Sequence, residues 1–317
     1  MQQTQEKAGT VKTEPSSIES FDVADWGYLA GIALMWGSSF VFIDEALETF
    51  EPALIAMLRL VFGAATLVWF SKARSPIERS DWGRIALLGF FWMAAPFLLF
   101  PIAQQWIDSS LAGMINGTVP IFAAFIAAVI VRTVPAGRQI FGILLGFAGV
   151  LALTSPAVRG SEATALGVLL VLLASLCYGI ALNIAVPLQR RYGSLPVLLR
   201  TQVVALAFLL VPGLVSVPGS TFSWTSLVAL VPLGCFGTGL AFVWMGSFAG
   251  RVGAARASLT IYFVPVVAIV LGWLLRDESI AVISIVGTAM VIAGAALASR
   301  TAEASSRHER MAWRVVR

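Results

Sequence analysis

Arg59 is the residue with the most unusual chemical setting in this sequence. It is the eighth residue of Pro52–Ser71, a run with no other charge. On a helix it lies roughly 10 Å below the start, at 1.5 Å per residue. A guanidinium at that depth in an apolar solvent is costly unless it is paired or hydrated, and it usually faces a cavity. Two chemistries fit. Its planar fork can bind an anionic group such as a carboxylate. Alternatively it is a structural arginine bonded to backbone carbonyls or hydroxyls. Arg200 and Arg256 lie nearer the ends of their runs, where snorkelling or topology accounts for them.

Polar and aromatic side chains at mid-depth supply further candidates. The set for a cavity is Trp36, Ser39, Arg59, Gln104, Asn116, Tyr178, Asn183 and Tyr262, with Ser38, Gln105 and Thr260 beside them. Trp36 and Tyr178 offer stacking faces. Each polar member also reads as glue between helices. Pro120 and Pro265 fall in the middle of apolar runs. A proline there removes a backbone hydrogen bond and kinks the helix. The kink is either a hinge beside a cavity or a static bend. Asp44, Glu45, Glu48 and Glu51 cluster between two runs. They form either a lure for cations or a solvated acidic loop.

Catalytic constellations are missing from the apolar runs. None holds a deep Asp, Glu or His, so neither a nucleophile–base pair nor a buried carboxylate relay has a candidate. The single histidine, His308, lies near the C-terminus. Cys177 and Cys235 sit in apolar surroundings and read as small reduced hydrophobes. No Cys/His spacing suits a metal. Neither cofactor nor metal is implied, and an enzyme is the least favoured class.

Residues 201–250 contain no Asp, Glu, Lys, Arg or His. Fifty such residues exceed one membrane crossing of about 20. Val211-Pro212-Gly213 through Pro218-Gly219-Ser220 predicts the intervening turn. A soluble core would not leave so long a run without a polar face. Only 12% of the 317 residues are charged, about half the usual share in soluble domains, and 58% are hydrophobic. The expected fold is therefore an all-α membrane protein of ten transmembrane helices. The runs are 26–43, 52–71, 85–107, 109–131, 139–158, 163–189, two within 201–250, 257–275 and 279–299. Residues 1–25 lack the apolar core of a signal peptide and are expected to be a disordered cytoplasmic tail. Residues 300–317 form a basic tail.

Loop charges orient the spans. Loops that follow an even-numbered span carry Lys72, Arg74, Arg79, Arg84, Arg132, Arg138, Arg190, Arg191, Arg251 and Arg256. Those that follow an odd-numbered span carry Arg159 and Arg276 alone. Ten against two places the first set, and both termini, in the cytoplasm. The surplus of 21 Lys+Arg over 17 Asp+Glu reflects that bias rather than nucleic-acid binding. The location implied is the inner (plasma) membrane, and the partners are a small-molecule substrate and the lipid bilayer.

The chain also repeats. Laid over 254–294 without a gap, residues 109–149 match at Ala112/Ala257, Val119/Val264, Pro120/Pro265, Ala123/Ala268, Ala136/Ala281, Ile140/Ile285, Gly142/Gly287, Ala148/Ala293 and Gly149/Gly294. Trp36-Gly37 pairs more loosely with Tyr178-Gly179. Two units of five helices follow, 26–158 and 159–299. Five is odd, so the second unit enters the membrane inverted, an architecture of many secondary transporters.

With Trp36-Gly37-Ser38-Ser39-Phe40, Arg59 and the small-residue runs leading to Pro120 and Pro265, residues 26–299 resemble the drug/metabolite transporter superfamily, EamA-like branch. The resemblance implies export or exchange of a small metabolite, such as an amino acid or a related compound. Rocking of helix groups about a midplane cavity would give alternating access. A Glu thirteen residues after the proline is usual in that family. Glu278 keeps it in the second unit, whereas Thr133 stands in the first. A channel, or a structural membrane protein without coupled flux, is the rival class.

Overall fold

The structure is a computed structural model that describes residues 21–132, 137–158 and 162–315. The expected tail up to residue 20, together with Thr133 and Arg159, lies outside these residues. Among the described residues every regular element is helical. The first part of the chain forms α1 (Val23–Gly37), α2 (Ser39–Leu47), α3 (Pro52–Val68), α4 (Trp82–Gly89), α5 (Ala95–Ala103), α6 (Ser109–Asn116), α7 (Val119–Val131) and α8 (Gly137–Val158). The second part forms α9 (Glu162–Tyr192), α10 (Ser194–Val215), α11 (Trp224–Gly234), α12 (Ala241–Val252), α13 (Ala254–Ala257), α14 (Thr260–Arg276) and α15 (Val282–Val315).

Among the described residues seven helical segments are long and apolar enough to cross a membrane: Val23–Leu47, Arg79–Ala103, Ser109–Ile130, Gly137–Pro156, Glu162–Tyr192, Ser194–Val215 and Trp224–Val252. Three shorter apolar helices accompany them, Pro52–Val68, Thr260–Arg276 and Val282–Ala298. At 17 residues, α3 and α14 stand at the lower limit of about 17–25 for a crossing. Large apolar side chains point outward on many helices. Leu151 and Val215 are each 73% exposed and Trp224 is 72% exposed, surfaces that suit lipid and not water.

Two helical stretches are wound as π-helix, Phe90–Ala94 and Cys235–Leu240. They begin 145 residues apart, the offset of the sequence repeat. Each follows directly on an α-helix, α4 and α11, and leads into another, α5 and α12. A π turn leaves backbone groups displaced from the regular ladder, and such turns frequently mark functional sites.

The most extensive helix pair joins α8 to α15. It is packed backbone to backbone. A Cβ added to Gly149 would lie 2.7 Å from the carbonyl oxygen of Gly287, and one added to Gly142 would lie 2.8 Å from that of Gly294. Rising number on one helix meets falling number on the other, so the pair is antiparallel. Gly142 and Gly287 are repeat partners, as are Gly149 and Gly294. Each glycine therefore meets the residue that the sequence alignment pairs with the other. Ser284 Oγ adds a hydrogen bond to the carbonyl of Leu153 at 3.0 Å.

Two details depart from the expected boundaries. The turn anticipated from Val211 begins later, because α10 continues through Pro212 and Gly213 to Val215. Gly213 fits against Met57, where an added Cβ would come within 2.7 Å of the side chain. A proline in the last turn sacrifices one backbone bond where the helix is about to end. The mid-span kink expected at Pro120 is a full interruption. α6 ends at Asn116, and Pro120 is the second residue of α7, a first-turn position that proline tolerates. Pro265 does lie inside its helix, α14, where it is buried.

Gly149→Leu and Gly287→Leu should each collapse the yield of monodisperse protein in detergent size-exclusion chromatography and lower the melting temperature. The obstruction is backbone, so it should exceed the 1–3 kcal/mol typical of overpacking. Gly250→Leu should behave as wild type, because a Cβ there meets nothing within 4 Å.

Candidate functional site

α3 carries Arg59 into the interior, where it is 7% exposed. Its Nε donates to Thr238 Oγ1 at 2.7 Å. The guanidinium carbon stands 3.8 Å from the centroid of the Phe97 ring. Among the described residues no carboxylate pairs with it. Nη1 and Nη2 donate none of the hydrogen bonds found for this side chain, nor are they among the sealed, unpartnered polar atoms. Both nitrogens of the fork are therefore left without a hydrogen-bond acceptor in the protein.

Thr238 is fully buried and belongs to the π stretch Cys235–Leu240. Its hydroxyl donates to the carbonyl of Leu233 at 3.1 Å, which leaves a lone pair for Arg59. The backbone carbonyl of Thr238 accepts from Gln202 Nε2 at 2.8 Å. Gly63, on the same helix as Arg59, lets this stretch approach; an added Cβ would sit 2.9 Å from Thr238 Cγ2. Irregular backbone thus supplies the cradle for the buried cation, and Gln202 takes up a carbonyl that the irregular winding displaces.

Of the expected cavity residues, the structure gathers some and disperses others. Tyr178 packs beside Phe100 at 6.0 Å between centroids, and Phe100 lies one turn from Phe97 on α5. Trp36 meets Phe242 edge-on at 5.5 Å, and Phe242 meets Trp92 at 5.5 Å. Gln104 is 5% exposed, with Nε2 donating to the carbonyl of Phe40 at 2.8 Å. Its Oε1 has no partner, and neither has Asn116 Oδ1. Tyr262 packs against the main core.

Ser39 and Asn183 are spoken for. Ser39 Oγ donates to its own helix at the carbonyl of Met35, 3.0 Å. Asn183 Nδ2 donates to the carbonyls of Gly179 and Ala123, at 2.9 Å and 3.1 Å, and so ties α9 to α7. Ser38 Oγ also turns back to Met35, and Gln105 is exposed. Arg200 grips the carbonyls of Ala73 and Arg74 and is thereby fixed to the 71–74 turn.

Sequence reasoning missed Thr238, Phe97 and Gln202. Thr238 and Gln202 lie in the charge-free stretch, where nothing distinguishes one polar residue from another. Phe97 is one of 20 phenylalanines. No periodicity announces the π stretch that carries Thr238, and Phe97 reaches Arg59 from another helix.

Ion pairs fasten both ends of the bundle. At one end Arg276 binds Asp44 at 2.5 Å, Glu45 at 2.7 Å and Glu48 at 3.0 Å. Glu278 accepts from the Ser109 and Ser110 backbone amides, each at 2.9 Å, and from Ser109 Oγ at 2.6 Å. At the other end Arg251 binds Asp22 and Asp25, each at 3.0 Å, while Arg191 binds Glu78 at 2.6 Å and Asp81 at 2.9 Å. Every one of these contacts joins the first part of the chain to the second.

A multi-pass helical membrane protein with a buried, carboxylate-free guanidinium is the class that fold and site define. The sequence model of the EamA-like transporter family matches residues 26–155 and again 165–300. The chain belongs to the EamA-like transporter family, and its general activity is membrane transport. Similar proteins include the uncharacterized transporter YdfC of Bacillus subtilis, 26% identical, covering 82% of this chain and 86% of that protein. A probable terminal-alkyne amino-acid exporter of Streptantibioticus cattleyicolor is 26% identical over 84% of this chain and 90% of its own length. A probable amino-acid metabolite efflux pump of Escherichia coli is 23% identical, with 83% and 90% covered. A crystal structure aligns with a TM-score of 0.61 at 17% identity, over 88% of this chain and 99% of that one, a likeness of fold.

Thr238→Val removes the acceptor of Arg59 at constant volume. Its melting temperature in detergent should fall by the equivalent of about 1.5–3 kcal/mol, the worth of a hydrogen bond to a charged group. Thr238→Ser should retain most of the stability.

Proposed function

We propose that this protein exports a small organic metabolite with a carboxylate, an amino acid or a relative of one, by alternating access. The observation that carries the reading is the free fork of Arg59. A buried guanidinium held by one hydroxyl and one ring, with both terminal nitrogens unspent, is matched by a bidentate carboxylate. Two of the relatives bear the words amino-acid exporter or amino-acid metabolite efflux pump in their names, which supports that class of cargo.

Transport needs a fold that opens alternately on two sides, and inverted repeats supply one. We read the chain as two five-helix units, 26–158 and 159–299, the second inverted. Four observations support this. The family matches twice in succession. Seven long and three shorter apolar helices make ten candidate crossings. The π stretches recur at the repeat offset. Repeat-related glycines of α8 and α15 meet reciprocally. Pro120 borders the break in the fourth span, Pro265 lies within the ninth, and both serve as hinges. Both termini face the cytoplasm across the plasma membrane, by the loop charges. Reporter fusions in the 48–51 loop and at the C-terminus should then report opposite sides; the same side for both would end the inverted reading.

Counter-flow in proteoliposomes tests the cargo. Arg59→Ala should abolish exchange of the carboxylate-bearing substrate at normal membrane levels. Arg59→Lys keeps the charge but loses the fork, and should weaken apparent affinity on the order of tenfold. If Arg59→Ala disappears from the membrane, and a substrate without an anionic group is the one carried, the arginine is structural and the carboxylate reading falls.

A further inference from the structure

At the end of the bundle where Arg276 is clamped, a seam between α6 and α14 is drawn tight. Glu278, just past the end of α14, caps the first turn of α6. Its Oε1 accepts from the Ser109 amide at 2.9 Å and from Ser109 Oγ at 2.6 Å, and its Oε2 accepts from the Ser110 amide at 2.9 Å. A carboxylate there answers both the orphan amides and the dipole of the helix. Left-handed backbone aims it: Asp277 has φ 52°, and the Glu278 amide turns back to the Gly272 carbonyl at 3.2 Å. Three glycines then let the helices touch. A Cβ on Gly272 would lie 3.0 Å from Ser110 Cβ, one on Gly117 would lie 3.0 Å from Pro265 Cγ, and one on Gly113 would collide with Ala268.

At the offset of 145 residues the backbone device recurs without its chemistry. Arg132 ends α7 in the left-handed conformation as well, at φ 54°. Thr133 follows it where Glu278 follows Asp277, and Ala254 and Ala255 stand at the positions of Ser109 and Ser110. These residue types bring neither the carboxylate nor the serine hydroxyl of the cap. Ala127, Ser258 and Tyr262 stand at the positions of Gly272, Gly113 and Gly117, so all three points of close approach carry larger residues. Packing agrees. α6 lies along α14, whereas among the described residues α7 packs on α9 and α15 and forms no comparable face with α13 or α14. The ion pairs at that end do not bridge the difference. Arg251 ties α12 to the start of α1, and Arg191 ties α9 to residues 78–81.

We propose that Glu278 and the α6–α14 seam form a latch that holds the Arg276 end shut, and that the opposite end has no equivalent. A protein with two conformations populates the one its contacts stabilise. One-sided contacts therefore leave the empty chain closed at the Arg276 end and open at the other. The inference rests on the transport reading and adds a direction to it. With both termini in the cytoplasm the shut end is the outer one, and the empty protein waits open to the cytoplasm, where an exporter is loaded. Release outside requires the three bonds to Glu278 to be given up, so bound cargo must favour the outward state by at least as much.

Spin labels at repeat-related positions read both ends. Gln105 and Leu274 stand at the Arg276 end, and Gly250 and Val129 are their counterparts at the offset of 145; all four are exposed. Cys177→Ala and Cys235→Ala leave the full chain without other thiols. Without substrate, pulsed electron resonance in nanodiscs should give a short, narrow 105–274 distance and a longer, broader 129–250 distance. Glu278→Ala should raise the population with a long 105–274 distance on the order of tenfold, the equivalent of one hydrogen bond to a charged group. Glu278→Gln keeps the volume and one acceptor, should shift the same way by less, and takes over if the Ala variant melts early. Thr133→Glu with Ala254→Ser and Ala255→Ser transplants the cap and should shorten the 129–250 distance. Equal distances at the two ends of the unmutated latch overturn the proposal. So does an unmoved 105–274 distance in a folded Glu278 variant, or an unmoved 129–250 distance in the transplant. Shifts of both distances without any counter-flow leave the latch standing and remove the transport reading; counter-flow with both distances unmoved does the opposite.

Discussion

Helices surrounded by hydrocarbon gain little from burying apolar faces against one another, because lipid is equally apolar. What holds them is close contact between backbones. The structure depends on this at α8 and α15, where Gly142, Gly149, Gly287 and Gly294 bring carbonyl oxygens to within 2.8 Å of where a side chain would begin. The same device recurs where Gly179 meets Phe122 and Ala123, and where Gly37 meets Val264 and Val267. Packing this tight is rigid within a pair, and the α8–α15 pair joins the first part of the chain to the second.

Regular helices satisfy their own backbone and leave nothing over for a ligand. In a bilayer, irregular backbone is tolerated where it is buried in protein or lines a wet cavity. The two π stretches meet that condition. Cys235–Leu240 offers a carbonyl to Gln202 and a hydroxyl to Arg59, and so converts a structural irregularity into a cradle for a charge. The depth of Arg59 becomes affordable because the group that receives it is fixed in place by the fold.

Charge is confined almost entirely to the two ends. Exposed pairs are individually worth about 0–1 kcal/mol, so the pairs of Arg251 and Arg191 fix geometry more than stability. The Arg276 cluster differs, since one half-buried guanidinium serves three carboxylates at once. All of these contacts join early residues to late ones, so each end of the molecule is a seam between the two parts. The guanidinium of Arg59 lies between the two.

The sequence by itself determined what composition and period can carry. Charge-free runs of about 20 residues have one stable form in hydrocarbon, so helices at these places were legible. The glycine and proline coincidences at an offset of 145 were legible too, because those residues are selected by backbone geometry. Arg59 announced itself by depth alone. Tertiary structure decided the rest. Neither the choice of Thr238 and Phe97 as neighbours of Arg59 nor the winding of Cys235–Leu240 has a local signal, because both arise from contacts between distant segments. Ser39 and Asn183 looked equal to Gln104 in the sequence, yet their hydrogen bonds are spent on backbone while Gln104 keeps one acceptor free. The acids at 44, 45 and 48 read as a solvated loop until Arg276, more than two hundred residues later, is folded onto them. A side chain's type fixes which bonds it can form, whereas its partners are fixed by which segments meet.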